Sequence, residues 1–94
     1  METRFIKITD YCENQKIEIS FLIELSKEGI VRIEKREEID YLDQNDLAEI
    51  EMFARWHYDL GINLEGIDAM RHMLEKIKYL QKKINLLENE SLEY

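Results

Sequence analysis

The sequence predicts a mainly α protein: a winged helix-turn-helix with a short β wing, followed by a long C-terminal dimerisation helix. Two short helical segments are joined by Gln15-Lys16-Ile17, and the second ends at Gly29. Two strand-like runs flank the charged Glu34-Lys35-Arg36-Glu37-Glu38. From Met70 to Leu87 an apolar residue recurs at spacings of three and four. The chain has 94 residues, no proline and three glycines, which leaves room for one modest core and no linker. Residues 1–62 read as the winged helix-turn-helix part and 63–94 as the coiled-coil dimerisation helix, in one compact unit overall.

Taken in order, Arg4-Phe5-Ile6-Lys7-Ile8 alternates polar and apolar residues and predicts a short strand. Thr9 is placed to cap a helix over about 10–14, and a second helix is expected over 18–28. On that second helix Ile19, Leu22, Leu25 and Ser26 share the expected core face, with Ser20, Glu24, Lys27 and Glu28 opposite. Ile30-Val31-Arg32-Ile33 and Ile39-Asp40-Tyr41-Leu42 then form the strands of a wing with a charged loop of about five residues. Asp43 is a good N-cap for a third helix running to Leu60, stopped by Gly61, and Asn63 caps the fourth.

That fourth helix, from Leu64 to Asn89, would be about 39 Å long at 1.5 Å per residue, too long for a small domain to cover. Met70, Met73, Ile77, Leu80, Ile84 and Leu87 form its a/d seam, with Ile67 and Leu74 beside it. A second copy in an antiparallel pair is the expected cover, giving a homodimer.

Charge and composition exclude several function classes. Twenty-one acids against 13 bases give a net charge of −8, the wrong sign for a general binder of nucleic acid or anionic membrane. Nothing reads as a membrane span or signal peptide, and the lone Cys12 is expected to be a buried small hydrophobe in a cytoplasmic protein. One cysteine, with His57 and His72 on different helices, makes no metal site. No nucleophile with its base, Gly-rich phosphate loop or carboxylate pair stands out, so neither cofactor nor enzymatic activity is expected. Phe53, Trp56 and Tyr58 are read as core packing rather than as a ligand pocket.

Three segments carry a family resemblance: Lys27-Glu28-Gly29-Ile30-Val31, Tyr41-Leu42-Asp43-Gln44-Asn45-Asp46-Leu47, and Leu60-Gly61-Ile62-Asn63-Leu64-Glu65-Gly66-Ile67. With the order of elements they resemble the MerR-like winged-helix superfamily. Ile8-Thr9-Asp10-Tyr11-Cys12 and the heptads from Asp68 are similar to its chaperone-modulator branch, the CbpM type. That resemblance implies a small bacterial protein that binds the J-domain of a DnaJ-like co-chaperone and inhibits it.

DNA-reading relatives carry arginine and an aromatic pair on the second helix and a further arginine on the wing. The resemblance places Ile23, Glu24, Leu25 and Asp40 at those positions. The expected partner-binding residues are therefore Glu18, Phe21, Ile23, Glu24, Glu28 and Asp40, with Phe21 and Ile23 exposed, facing a basic protein surface. The alternative is a transcriptional regulator that reads DNA through Lys16, Lys27, Arg32, Lys35 and Arg36. An inert oligomerisation scaffold is the third reading.

Overall fold

The computed structural model describes residues 4–92, and their side chains through residue 89. The order is β1 (Phe5–Lys7), α1 (Ile8–Gln15), α2 (Ile19–Lys27), β2 (Ile33–Arg36), β3 (Ile39–Asp43), a 3-10 turn (Gln44–Asp46), α3 (Leu47–Ala54), a π turn (Arg55–Asp59) and α4 (Leu64–Leu92). This is a winged helix-turn-helix followed by one long helix. The chain divides between Leu64 and Glu65 into two compact units.

In the first unit the three strands run antiparallel in the order β1-β3-β2. Leu42 of the central strand sits between Ile6 and Ile33, making an apolar row across the sheet. Around Leu42 the core gathers Ile8, Tyr11 and Cys12 of α1, Phe21, Leu22 and Leu25 of α2, Val31, and Ile50, Phe53 and Ala54 of α3. Leu22, Leu25, Leu42 and Ile50 are wholly enclosed, so truncating any of them to alanine would cost about 2–5 kcal/mol.

The helix-turn-helix is closed by backbone geometry rather than by side-chain caps. Lys16 takes a left-handed conformation at φ 56°, and the N–H of Ile17 bonds back to the Cys12 carbonyl at 3.0 Å. At the far end of α2, Gly29 at φ 75° lets its own N–H reach the Ser26 carbonyl and that of Ile30 reach Leu25. This pattern is the Schellman closure expected of a C′ glycine. Thr9, expected from the sequence to cap α1, does not: Ile8, assigned to the strand, begins the helix and places Thr9 within it, while the N-cap is Lys7 without a side-chain bond. Burial of Ile8 draws the helix start forward, since an exposed strand end would waste that apolar group.

The wing differs from the expected five-residue loop. Lys35 pairs with Asp40 and Arg36 with Ile39 in the ladder, so the strands run into the charged segment and only Glu37-Glu38 turns. Both turn residues have positive φ, 49° and 67°, as a type I′ hairpin requires, but neither is the Asn or Gly that makes such a turn recognisable. Replacing them by Glu37→Asn and Glu38→Gly should relieve that strain and raise stability by about 1 kcal/mol. In a domain this small that shifts Tm upward by roughly 4–8 °C, which a thermal melt reads directly.

The third helix also departs from a single run to Leu60. Asp43 Oδ1 accepts from the Asn45 N–H at 2.9 Å, but it caps the 3-10 turn that precedes α3. After Ala54 the helix widens by one residue into the π turn, and Gly61 at φ 68° ends it. The widening turns His57 and Tyr58 toward α2, which is where they make contact.

α4 is 29 residues long, about 43 Å. Among the described residues no helix is long and apolar enough to cross a membrane.

Candidate partner-binding face

α2 is the second helix of the helix-turn-helix, and the core fixes which of its sides faces solvent. Phe21, Leu22 and Leu25 are buried. Phe21 stacks on the His57 ring at 4.5 Å between centroids and meets Tyr58 edge-on at 5.5 Å. The His57 ring is fixed in turn by its Nδ1, which donates to the Ile62 carbonyl at 2.9 Å. Tyr58, though exposed, accepts the Glu18 N–H on its hydroxyl at 3.0 Å and so holds the start of α2.

Two expectations are corrected here. Phe21, expected to be exposed and to touch a partner, is 4% exposed and belongs to the core. Ile19, expected in the core, is 38% exposed and joins Ile23 at 37%. One cause accounts for both. A phenylalanine with an aromatic shelf to stack on displaces the buried side of the helix toward itself, at 100° per residue, and rotates Ile19 outward.

The solvent face of α2 is therefore the row Ile19, Ile23, Lys27, flanked by Ser20 and Glu24, with Glu28 at the C-cap. Glu18 is at the N-cap, on the other side of the helix from Glu24, so the three glutamates do not form one patch. Asp40 is on β3 of the wing, half-buried, with the Lys35 ammonium 3.9 Å from it. Among the expected contact residues, Ile23, Glu24 and Glu28 remain together on one helix. Ile19 is the addition, one turn before Ile23 on the same side of the helix.

Three of the five cations that a DNA-reading face would use stand beside carboxylates, and among the described residues Lys16 and Lys27 do not. Arg32 bridges Asp43 and Asp46 at 3.8 and 3.7 Å, Lys35 meets Asp40, and Arg36 meets Glu34 at 3.3 Å. The Arg36 guanidinium also lies 4.2 Å over the Phe5 ring. Each wing cation has a carboxylate beside it, an exposed pairing that reduces the local positive charge offered to phosphate.

A profile of the MerR HTH family regulatory proteins matches residues 6–89, nearly the whole chain. The chain belongs to this family. No curated protein and no solved structure matches it. α2, the second helix of the helix-turn-helix, presents isoleucine and glutamate to solvent.

Cys12 is a free thiol in the core of the MerR-like domain, and burial pushes its pKa up. The Tyr11 phenol is also raised, chiefly by burial, then by the charge of Glu51 and by Cys12. Among the described residues no group of three or more His, Cys, Asp or Glu could hold a metal ion. Both raised groups favour the neutral form when folded. Above the ordinary thiol value of 9.0 the unfolded chain releases a proton that the folded chain retains, so stability should fall from there upward, and Tyr11 adds to the fall from 10.0. Denaturant midpoints measured from pH 8 to 11 check this, and a thiol reagent at pH 8 should label Cys12 only after unfolding.

Proposed function

We propose that the protein acts without catalysis, as a chaperone modulator that binds the J-domain of a DnaJ-like co-chaperone through the solvent face of α2 and inhibits it. The observation that supports this is the composition of that face: Ile19 and Ile23 exposed beside Glu24 and Glu28, with one lysine and no arginine. Such a surface suits a basic protein helix, because opposite charge speeds encounter and two desolvated isoleucines slow release. The resemblance of the Ile8 to Cys12 segment to the CbpM type names the partner class. The apolar seam of α4 supports a homodimer, which would present two such faces.

The family description favours a second reading, a DNA-binding transcriptional regulator. It would require Lys16, Lys27, Arg32, Lys35 and Arg36 to contact phosphates, although the wing cations are already paired. Mobility shift at about 50 mM salt, where phosphate contacts are strongest, decides against it if no tight complex forms, and a specific nanomolar complex would establish it instead.

Surface binding to a J-domain from the same organism tests the first reading. Glu24→Lys with Glu28→Lys should slow association and flatten its salt dependence. Glu88→Lys, on α4, should do little. Absence of binding by the unmodified protein to any such J-domain would overturn the reading.

A further inference from the structure

Between Lys76 and Leu87, α4 carries Lys76, Lys78, Lys82 and Lys83 and no acidic residue, in a chain with a net charge of −8. All four are exposed, and among the described residues none forms an ion pair, whereas Arg32, Lys35, Arg36 and Arg71 each do. Lys78, Lys82 and Leu86 follow one another at four-residue spacing. Tyr79 and Lys83 form the adjacent row, with the Lys83 ammonium 5.3 Å over the tyrosine ring. Tyr79 and Leu86 are exposed as well. At 100° per residue Lys78, Lys82 and Leu86 lie opposite the Ile77, Leu80, Ile84 seam, so covering the seam leaves that row open, while Lys83 borders the seam. Like charges four residues apart weaken a lone helix, and Lys82 has no acidic residue three or four positions away on α4.

The complement of this face is on the same chain. Glu24 and Glu28 repeat at the spacing of Lys78 and Lys82, and Ile19 and Ile23, across Lys27 on the same solvent side, offer apolar surface to Tyr79 and Leu86. We infer that the outer face of α4 in one copy receives the α2 face of another copy. The contact is used head-to-tail: each added copy leaves one α2 face and one α4 face open, so assembly grows beyond two copies into a ring or a filament. The overall charge of −8 opposes approach from a distance, but a Debye length of about 8 Å at physiological salt leaves the local pairs in control at contact. If α2 is also the J-domain surface proposed above, the protein withdraws that surface as its concentration rises, and partner and self-assembly compete.

Sedimentation of the full chain in about 50 mM and about 500 mM salt tests the contact with no J-domain present. At low salt the average mass should climb with concentration beyond two copies, and high salt should reverse the climb. Lys78→Glu with Lys82→Glu should abolish the larger species, as should Glu24→Lys with Glu28→Lys, while an equimolar mixture of the two variants should form them again. A mass that stays constant at both salts, or larger species that survive both charge reversals, would overturn the contact. Retention of a random duplex by the unmodified protein, lost in the lysine variant, would assign the face to phosphates and overturn it too. J-domain binding by the lysine variant reads the function separately, since its α2 is intact.

Discussion

Ile77→Asp with Leu80→Asp should convert a two-copy species into monomers, and this is the largest change expected from any pair of surface substitutions in the chain. Met73, Ile77, Leu80, Ile84 and Leu87 follow one stripe of α4 and are 46–63% exposed in the single chain. A monomer would leave this apolar stripe in water, an arrangement more typical of an interaction face than of ordinary surface. In an antiparallel pair Ile77 of one copy faces Leu80 of the other, so the double variant brings four carboxylates within a turn of each other, away from water. The effective penalty of an unpaired buried ion is several kcal/mol, which raises the dissociation constant by more than about 1,000-fold. Sedimentation at tens of micromolar reads the mass, and circular dichroism verifies that the first unit keeps its fold. A monomeric unmodified protein under those conditions would remove the dimer from the account.

The elements that the sequence makes legible are those whose signal is local and repeated. The seam of α4 is written three times over in heptads, and Gly29 and Gly61 mark helix ends because only glycine enters positive φ freely. The wing turn is hidden in the sequence because Glu37 and Glu38 occupy the same conformation without the customary residues, so the first wing strand is expected over 30–33, three residues before its observed place at Ile33–Arg36. The π turn has no sequence mark at all, since one inserted residue changes the period only once. The candidate site was partly legible for a related reason. Ile23, Glu24 and Glu28 follow from helical spacing, but the choice between Phe21 and Ile19 as the buried member depends on His57 and Tyr58, some forty residues away in sequence. Periodicity within one helix cannot see a partner on another.

Phe21→Ala and Ile23→Ala, two residues apart on one helix, should fail in opposite ways. Phe21 is enclosed against His57 and Tyr58, so its removal loses transfer free energy, leaves a cavity and abolishes the stacked pair. A cost of about 3–5 kcal/mol is expected for a buried phenylalanine, a large part of the stability of a domain this size. It should appear as a fall in Tm well beyond 10 °C, since each kcal/mol is worth roughly 4–8 °C here. Ile23 has much of its surface in water already, so its truncation should leave the melt almost unchanged. Its effect belongs to the complex: a desolvated isoleucine shortened to alanine costs about 1 kcal/mol, roughly fivefold in Kd, carried by faster dissociation. Thermal melts together with J-domain binding separate the two, with Phe21→Ala measured at low temperature where it remains folded. If Ile23→Ala and Ile19→Ala both bind the J-domain like the unmodified protein while Phe21→Ala is stable and binds weakly, then Phe21 must leave the core to reach the partner, and the face described for α2 is the wrong one.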